Sequence, residues 1–144
     1  MKRYVLPLIL LVLLCGCSLK NTPSLRLKAE SVSSVEIKKT YRDGTSSYSV
    51  SKTVTDREDT EKLISWLESL RLTKHDAIEI PVDQVRYVVV LEGVKTHKLI
   101  FIDGFVIYDS TAYTYDDLSQ QSEIDKKYNL LNYPEQSTEL DLFK

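Results

Sequence analysis

Residues 98–115 read KLIFIDGFVIYDSTAYTY, and this stretch decides the fold. Its apolar runs are rich in β-branched and aromatic residues, which favour strands. Asp103 and Gly104 stand between two such runs and predict a two-residue hairpin turn of the type I′ kind. Turns this short join only antiparallel strands. The stretch therefore predicts three consecutive antiparallel strands, at residues 97–102, 105–108 and 112–115.

The residues before this stretch add further strands. Residues 85–92 (VRYVVVLE) are strongly strand-like and precede the first of the three. Residues 35–41 and 48–54 each alternate apolar with polar side chains on either side of a turn at residues 42–45 (RDGT), which predicts a β-hairpin. A shorter strand is expected at residues 78–80.

Two helices complete the pattern. Thr55 and Glu58 have the spacing of a capping box, and the apolar stripe that follows predicts a helix over residues 56–70. A second helix is expected to begin at Asp116 or Asp117 and to end near residue 131, with a surface-lying tail after it. The element order ββ-α-ββββ-α predicts the α+β class, with an antiparallel sheet of five to six strands and helices packed on one face.

The amino terminus carries the pattern of an export signal. Lys2 and Arg3 precede an uncharged apolar run at residues 4–14, which is shorter than the roughly 20 residues of a membrane-spanning helix. The run ends in Leu14-Cys15-Gly16-Cys17, which resembles the lipobox of bacterial lipoproteins. By that resemblance the chain is cut after Gly16, and Cys17 carries a thioether-linked diacylglycerol. The alternatives are an ordinary secretory signal with a chance cysteine, or an uncleaved anchor.

These features predict three segments. Residues 1–16 form the signal peptide, residues 17–30 form the lipidated cysteine and a polar tether, and residues 31–144 form one globular domain. Leu25 and Leu27 leave open the alternative that the end of the tether packs at the domain edge.

Charge and cysteine content exclude several classes of function. The precursor has 19 Lys and Arg against 21 Asp and Glu, and because Lys2 and Arg3 leave with the signal, the net charge falls from −2 to −4. A mildly acidic domain is not expected to bind nucleic acid. With Cys15 removed and Cys17 acylated, no free thiol remains for catalysis, for a zinc site or for a disulfide.

No arrangement of residues predicts an enzyme. His75 beside Asp76 is the only conceivable catalytic pair, and without a nucleophile motif we expect a solvated loop histidine. His97 is expected at a strand edge. Glycines occur at residues 16, 44, 93 and 104 and do not cluster, which disfavours a nucleotide site, and no cofactor is predicted.

A metal site is not predicted either. Asp103, Asp109, Asp116 and Asp117 lie close together in sequence, but a turn, a strand end and a helix cap explain them, and they lack the spacing of a calcium loop. A small positive corner for an anionic lipid or glycopolymer is conceivable, although a solvated face is the simpler interpretation. Its residues would be Lys74, His75, Lys95, His97 and Lys98.

The tyrosines are the one compositional feature that favours binding. Nine of the 13 aromatic residues are Tyr, and Tyr108, Tyr113 and Tyr115 are crowded into the last two predicted strands. Exposed tyrosine rings suit protein or sugar contacts, so these three form a candidate binding surface. The alternative is that they lie at the core margin with their hydroxyl groups in water.

Five features stand together in this chain: the lipobox, SVEI at residues 34–37, LISWLESL at residues 63–70, VRYVVVLEG at residues 85–93 and the stretch at residues 98–115. In this combination the chain is similar to small lipoproteins of Gram-positive bacteria, including those termed YhfM-like. The resemblance implies the outer face of the cytoplasmic membrane and transfers no catalytic residue. We expect a monomeric, lipid-anchored, non-enzymatic module that binds another envelope component, most simply a protein. The alternatives are a small-ligand or ion-binding lipoprotein and, less favoured, an envelope hydrolase using His75 and Asp76.

Overall fold

One antiparallel sheet dominates the structure. The computed structural model describes residues 25–43, 46–76, 79 and 82–138. Its strands are β1 (Val32–Asp43), β2 (Ser46–Val54), β3 (Leu72–Lys74), β4 (Val85–Gly93), β5 (His97–Ile102), β6 (Phe105–Tyr108), β7 (Thr111–Tyr115) and β8 (Gln136–Thr138). Within the described ranges these form a sheet of eight strands in the order β3-β7-β6-β5-β4-β1-β2-β8. The predicted α+β class is confirmed, and the strand count exceeds the five to six expected.

The two additional strands are the short ones at the sheet edges. β3 pairs with β7 through Leu72 and Tyr115, in a region where no strand was predicted. β8 pairs with β2 through Ser49 and Thr138, in the tail that was predicted to lie on the surface or fray. Both strands have three residues, too few for an alternation pattern to stand out. Most of the strand expected at residues 78–80 lies outside the described residues.

Helix α1 (Arg57–Ser69) confirms the first predicted helix. Its N-cap is Asp56, whose carboxylate accepts a hydrogen bond from the backbone N–H of Asp59 at 3.1 Å. The predicted capping box on Thr55 and Glu58 is therefore wrong by one residue. Aspartate and threonine are both good N-caps, and here the helix starts one position later.

Helix α2 (Glu123–Leu130) is shorter than predicted. Asp117 accepts a hydrogen bond from the backbone N–H of Ser119 at 2.9 Å, but it caps a 3-10 helix over Leu118–Ser122 instead of an α-helix. In this segment Gln121 accepts a hydrogen bond from the backbone N–H of Gly104 at 3.0 Å. The residues predicted to form the first turn of this helix thus form a 3-10 helix instead, and the side chain of Gln121 reaches the β5–β6 turn.

The two tight turns of the central meander differ from the expected geometry. At the β5–β6 turn a positive φ occurs at Gly104 (81°) but not at Asp103. At the β6–β7 turn both Asp109 (44°) and Ser110 (70°) have positive φ. Type I′ geometry requires positive φ at both central residues. The type I′ turn therefore lies one hairpin later than predicted, at Asp109 and Ser110 between β6 and β7.

Both helices pack on one face of the sheet, as predicted. Trp66 of α1 stacks on Phe101 of β5 with ring centroids 6.2 Å apart, and Ile124 and Tyr128 of α2 are buried in the same cluster. Val88 and Ile100 belong to a second buried apolar cluster on the opposite face. The central strands are thus buried on both faces, which explains their near-continuous apolar sequence.

The packed domain includes the residues just before β1. Leu25 and Leu27 are 3% and 4% exposed and lie in the main core, and the backbone N–H of Leu27 donates to a carboxylate oxygen of Glu68 at 2.9 Å. Of the two alternatives for this segment, the structure has the packed one. At most seven residues, 18–24, then separate Cys17 from the packed chain.

Candidate functional site

Two adjoining clefts open where one end of β4 meets the 3-10 segment and the start of α2. One cleft, of about 410 Å³, lies between the sheet and α2, and the other, of about 500 Å³, lies beside β1. They share Arg86, Asp103 and Asp125, and we call the two clefts together the Arg86 groove. Their volumes fall within the usual range for small-molecule sites.

An ion pair between Arg86 and Asp103 forms the ridge between the two clefts. The pairing of β4 with β5 shifts register between Val85 and Tyr87, so Arg86 stands at an irregularity of the strand pairing. The Nε and Nη2 atoms of Arg86 each donate to a carboxylate oxygen of Asp103 at 3.1 Å. Gln121 donates to the same carboxylate at 3.1 Å, so the ridge also joins the sheet to the 3-10 segment.

Asp125 is the polar centre of the groove wall. Its carboxylate accepts a short hydrogen bond from the hydroxyl group of Tyr87 and another from Nζ of Lys39 at 2.9 Å. Burial alone would raise the pKa of Asp125, but the hydrogen bonds from Tyr87 and Lys39 outweigh it and hold the pKa below 3.8. Burial alone would lower the pKa of Lys39, but its hydrogen bond and charge interaction with Asp125, together with Tyr41, outweigh burial and raise the pKa. Asp125 and Lys39 are therefore an ion pair that fixes α2 to β1.

Aromatic rings surround Lys39 and extend to the surface. Its Nζ lies 5.3 to 5.6 Å from the ring centroids of Tyr41, Tyr87 and Tyr128, within the range of cation–π attraction. Tyr41 stacks on Tyr48 with centroids 5.2 Å apart, and Tyr48 is 53% exposed. The groove thus continues from Tyr41 into an exposed aromatic pair.

Lys52 is a buried residue that the sequence analysis missed. Its Nζ donates to the backbone carbonyl groups of Tyr128 at 3.1 Å and Leu131 at 2.8 Å. These carbonyl groups end α2, so the charge satisfies the helix terminus and complements its dipole. The signal was present, because Lys52 stands between Val50 and Val54 at an inward position of the predicted strand.

The three predicted binding tyrosines lie on the helix-covered face of the sheet. Tyr115 is 7% exposed and belongs to the core. Tyr108 and Tyr113 are partly buried against the same core. Their position is the one given by the alternative interpretation, at the core margin. Of the three, only Tyr115 lines the Arg86 groove.

His75 does not pair with the carboxylate of Asp76, the pair considered for catalysis. Nδ1 of His75 lies 2.9 Å from the backbone oxygen of Asp76, not from its carboxylate. His97, in contrast, has its Nδ1 2.6 Å from a carboxylate oxygen of Asp109 and 3.1 Å from the hydroxyl group of Tyr108. This pair connects residues 12 positions apart and could be found from sequence only by knowing the β5–β6 register.

The acidic residues examined for metal binding all have other partners. Asp103 pairs with Arg86, Asp109 with His97 and Asp117 with Arg71, and Asp116 accepts a hydrogen bond from Thr73 at 2.6 Å. Among the described residues no group of three or more His, Cys, Asp or Glu side chains could hold a metal ion.

The structure does not assemble the conceivable positive corner. Lys74 lies on β3, three strand positions away from β5, where His97 and Lys98 stand. Two intervening strands separate these residues by about 14 Å.

The described residues give no direct view of the predicted anchor. Cys17 and the predicted signal peptide lie outside them. Within the described ranges no helix is long and apolar enough to cross a membrane.

Buried tyrosines predict alkaline unfolding. Burial raises the pKa of Tyr87, Tyr115 and Tyr128 well above the ordinary value of 10.0, and acidic neighbours add to the effect at Tyr87 and Tyr128. The folded chain then binds these protons more tightly than the unfolded chain. The resulting stabilisation is complete below pH 10 and declines as the pH rises above it.

We expect the urea midpoint to fall steadily above about pH 10, with tyrosinate absorbance rising together with unfolding. Tyr115→Phe keeps the ring and removes the titrating hydroxyl group, so this variant should lose less stability at high pH. A urea midpoint independent of pH to about pH 12 would contradict the prediction.

None of the family models, curated proteins and solved structures compared with the chain matches it. The functional interpretation therefore rests on the residues of this chain.

Proposed function

We propose that the chain is a lipid-anchored domain on the extracytoplasmic face of the cell membrane, and that it binds an envelope component without catalysing a reaction. Cys17 would carry the lipid, because a short apolar run and a lipobox-like sequence precede it. Two acyl chains give stable membrane attachment, whereas one is marginal.

The packing of Leu25 and Leu27 is the observation that carries this proposal. A tether of seven residues, 18–24, reaches at most about 25 Å when fully extended. The domain would therefore work close to the membrane surface. Its partner is then a membrane-bound or membrane-proximal component, most simply another envelope protein.

Crosslinking in living cells tests the proposal. A photo-crosslinking residue replaces Tyr48, which is 53% exposed, in a chain that retains Cys17, and the captured species are identified by mass spectrometry. The matched control places the same residue at Val94, which is 93% exposed. We expect one dominant protein from position 48 in the anchored chain only.

The anchor is followed in the same cells with an alkyne-labelled fatty acid. Cys17→Ser should abolish both the label and the capture, whereas Cys15→Ser should keep both, because Cys15 would leave with the signal. Label that persists in Cys17→Ser, or equal capture from both positions, would refute the proposal.

The Arg86 groove favours a second candidate function, the binding of a small ligand. Its volume suits such a ligand, and aromatic and charged side chains line it together. The two functions are compatible in one anchored domain.

A further inference from the structure

The charges along the Arg86 groove are balanced. The described lining residues include three cations (Lys39, Arg42, Arg86) and three carboxylates (Asp83, Asp103, Asp125). A phosphate or carboxylate ligand would face the carboxylates, and an ammonium ligand would face the cations. The lining therefore disfavours a strongly charged ligand of either sign.

The backbone around the groove leaves no place for an added strand. β1, β4 and β5 are interior strands, each paired on both sides. An extended peptide binds a sheet by pairing with an edge strand, which these strands cannot provide. A ligand here must be recognised by side chains.

The side chains that remain can recognise hydroxyl groups. A hydroxyl group donates one hydrogen bond and accepts others, so it can bridge a guanidinium and a carboxylate that stand together, as Arg86 and Asp103 do at 3.1 Å. Apolar surface lies on either side of this pair, with Tyr41 in one cleft and Leu118 and Ile124 in the other. A sugar ring offers both hydroxyl groups and an apolar face.

We propose that the Arg86 groove binds a neutral saccharide, one sugar unit in each cleft with the Arg86–Asp103 pair between them. This inference rests on the proposed small-ligand function and names its ligand class. A disaccharide is the smallest ligand that would occupy both clefts.

The single tryptophan of the chain gives a direct readout. Trp66 stacks on Phe101, which lines the first cleft, and its Nε1 donates to Glu123 at 2.9 Å, beside the lining residues Ser122 and Ile124. Its fluorescence should change when that cleft fills. The full-length chain is purified in a detergent without a sugar headgroup and titrated with cellobiose and with the N-acetylglucosamine disaccharide, with calorimetry in parallel.

We expect saturable binding of at least one neutral disaccharide, at micromolar to millimolar concentration, and roughly tenfold weaker binding of a digalacturonate and of a glucosamine disaccharide. Arg86→Ala should weaken the binding roughly tenfold. The matched control is Arg57→Ala, which removes another exposed arginine from an ion pair, here with Glu61 on α1. Both variants break surface ion pairs, which contribute little to folding.

Three outcomes would overturn the inference: no binding of either neutral disaccharide, binding of a charged disaccharide at least as tight, or an equal loss in both arginine variants. The proposed anchored binding function would survive each of them, because acyl labelling and crosslinking at Tyr48 test it separately.

Discussion

Replacing Gly93 with alanine is expected to lower the free energy of unfolding by about 3 kcal/mol, the upper end of the usual cost of overpacking. The added Cβ would stand 1.9 Å from the carbonyl oxygen of Ser31 and 2.9 Å from its carbonyl carbon. Both are backbone atoms, so no side-chain rotation relieves the overlap. The segment that contains Ser31 and the end of β4 cannot separate freely either, because the backbone N–H of Val94 donates to the carbonyl oxygen of Ser31 at 3.1 Å.

Gly104→Ala is the matched control for this substitution. A Cβ at Gly104 meets nothing within 4 Å, but its φ of +81° is unfavourable for alanine. We expect a loss of about 1 kcal/mol there, from backbone strain alone. Urea unfolding followed by Trp66 fluorescence compares the two variants. Equal losses would show that the contact between Gly93 and Ser31 is not tight.

If the chain is anchored through Cys17 as we propose, the contact at Gly93 would also affect the distance between the domain and the membrane. Ser31 follows the segment that packs Leu25 and Leu27 into the core. If Gly93→Ala displaces this segment, the tether lengthens and the domain moves away from the membrane. The crosslinking pattern of the anchored variant should then change even in the fraction that folds.

The sequence predicts the central strands well, for a physical reason. β4 to β7 combine apolar runs with short turns, and an apolar strand buried on both faces has few alternative positions. The bounds of β5 and β6 are those predicted. β3 and β8 could not be predicted, because three residues are too few to show an alternation of apolar and polar side chains. Their pairing also depends on strands that are distant in sequence.

The Arg86 groove could not be predicted in the same way. Lys39, Arg86, Asp103, Gln121 and Asp125 come from different elements, and the last three stand in sequence that resembles an ordinary solvated surface. Only the strand register and the position of α2 bring them together. One signal was available, because Lys39 and Lys52 occupy inward positions of two predicted strands and a buried lysine needs a partner.

Asp125→Ala is expected to lower the free energy of unfolding by about 2 kcal/mol, because it leaves two groups without their acceptor. The hydroxyl group of Tyr87, a residue only 2% exposed, loses its hydrogen bond, and Lys39 loses its ion pair. Asp117→Ala is the matched control, since the Asp117 carboxylate caps the preceding 3-10 helix and has no buried hydroxyl group as a partner. Asp117→Ala should lower the free energy of unfolding by less than Asp125→Ala, because it removes only the acceptor for the backbone N–H of Ser119 and a surface ion pair with Arg71.

A double-mutant cycle with Tyr87→Phe isolates the hydrogen bond between Tyr87 and Asp125. In the Tyr87→Phe background no hydroxyl group is left unpaired, so Asp125→Ala should cost about 1 kcal/mol less than in the natural chain. Additive losses would mean that Tyr87 and Asp125 do not interact.

The pH dependence of this difference gives a second test of the same residue. The pKa of Asp125 is lowered on folding, so the folded chain binds that proton less tightly than the unfolded chain. The stabilisation from Asp125 is therefore complete above the ordinary pKa of 3.8, and it is lost as the pH falls through the lowered pKa. The difference in unfolding free energy between the natural chain and Asp125→Ala should be constant at neutral pH and shrink in acid. A difference that grows below pH 3.8 would contradict this prediction. It would mean that Tyr87 and Lys39 stabilise the protonated form of Asp125, whereas the ion pair with Lys39 stabilises the carboxylate.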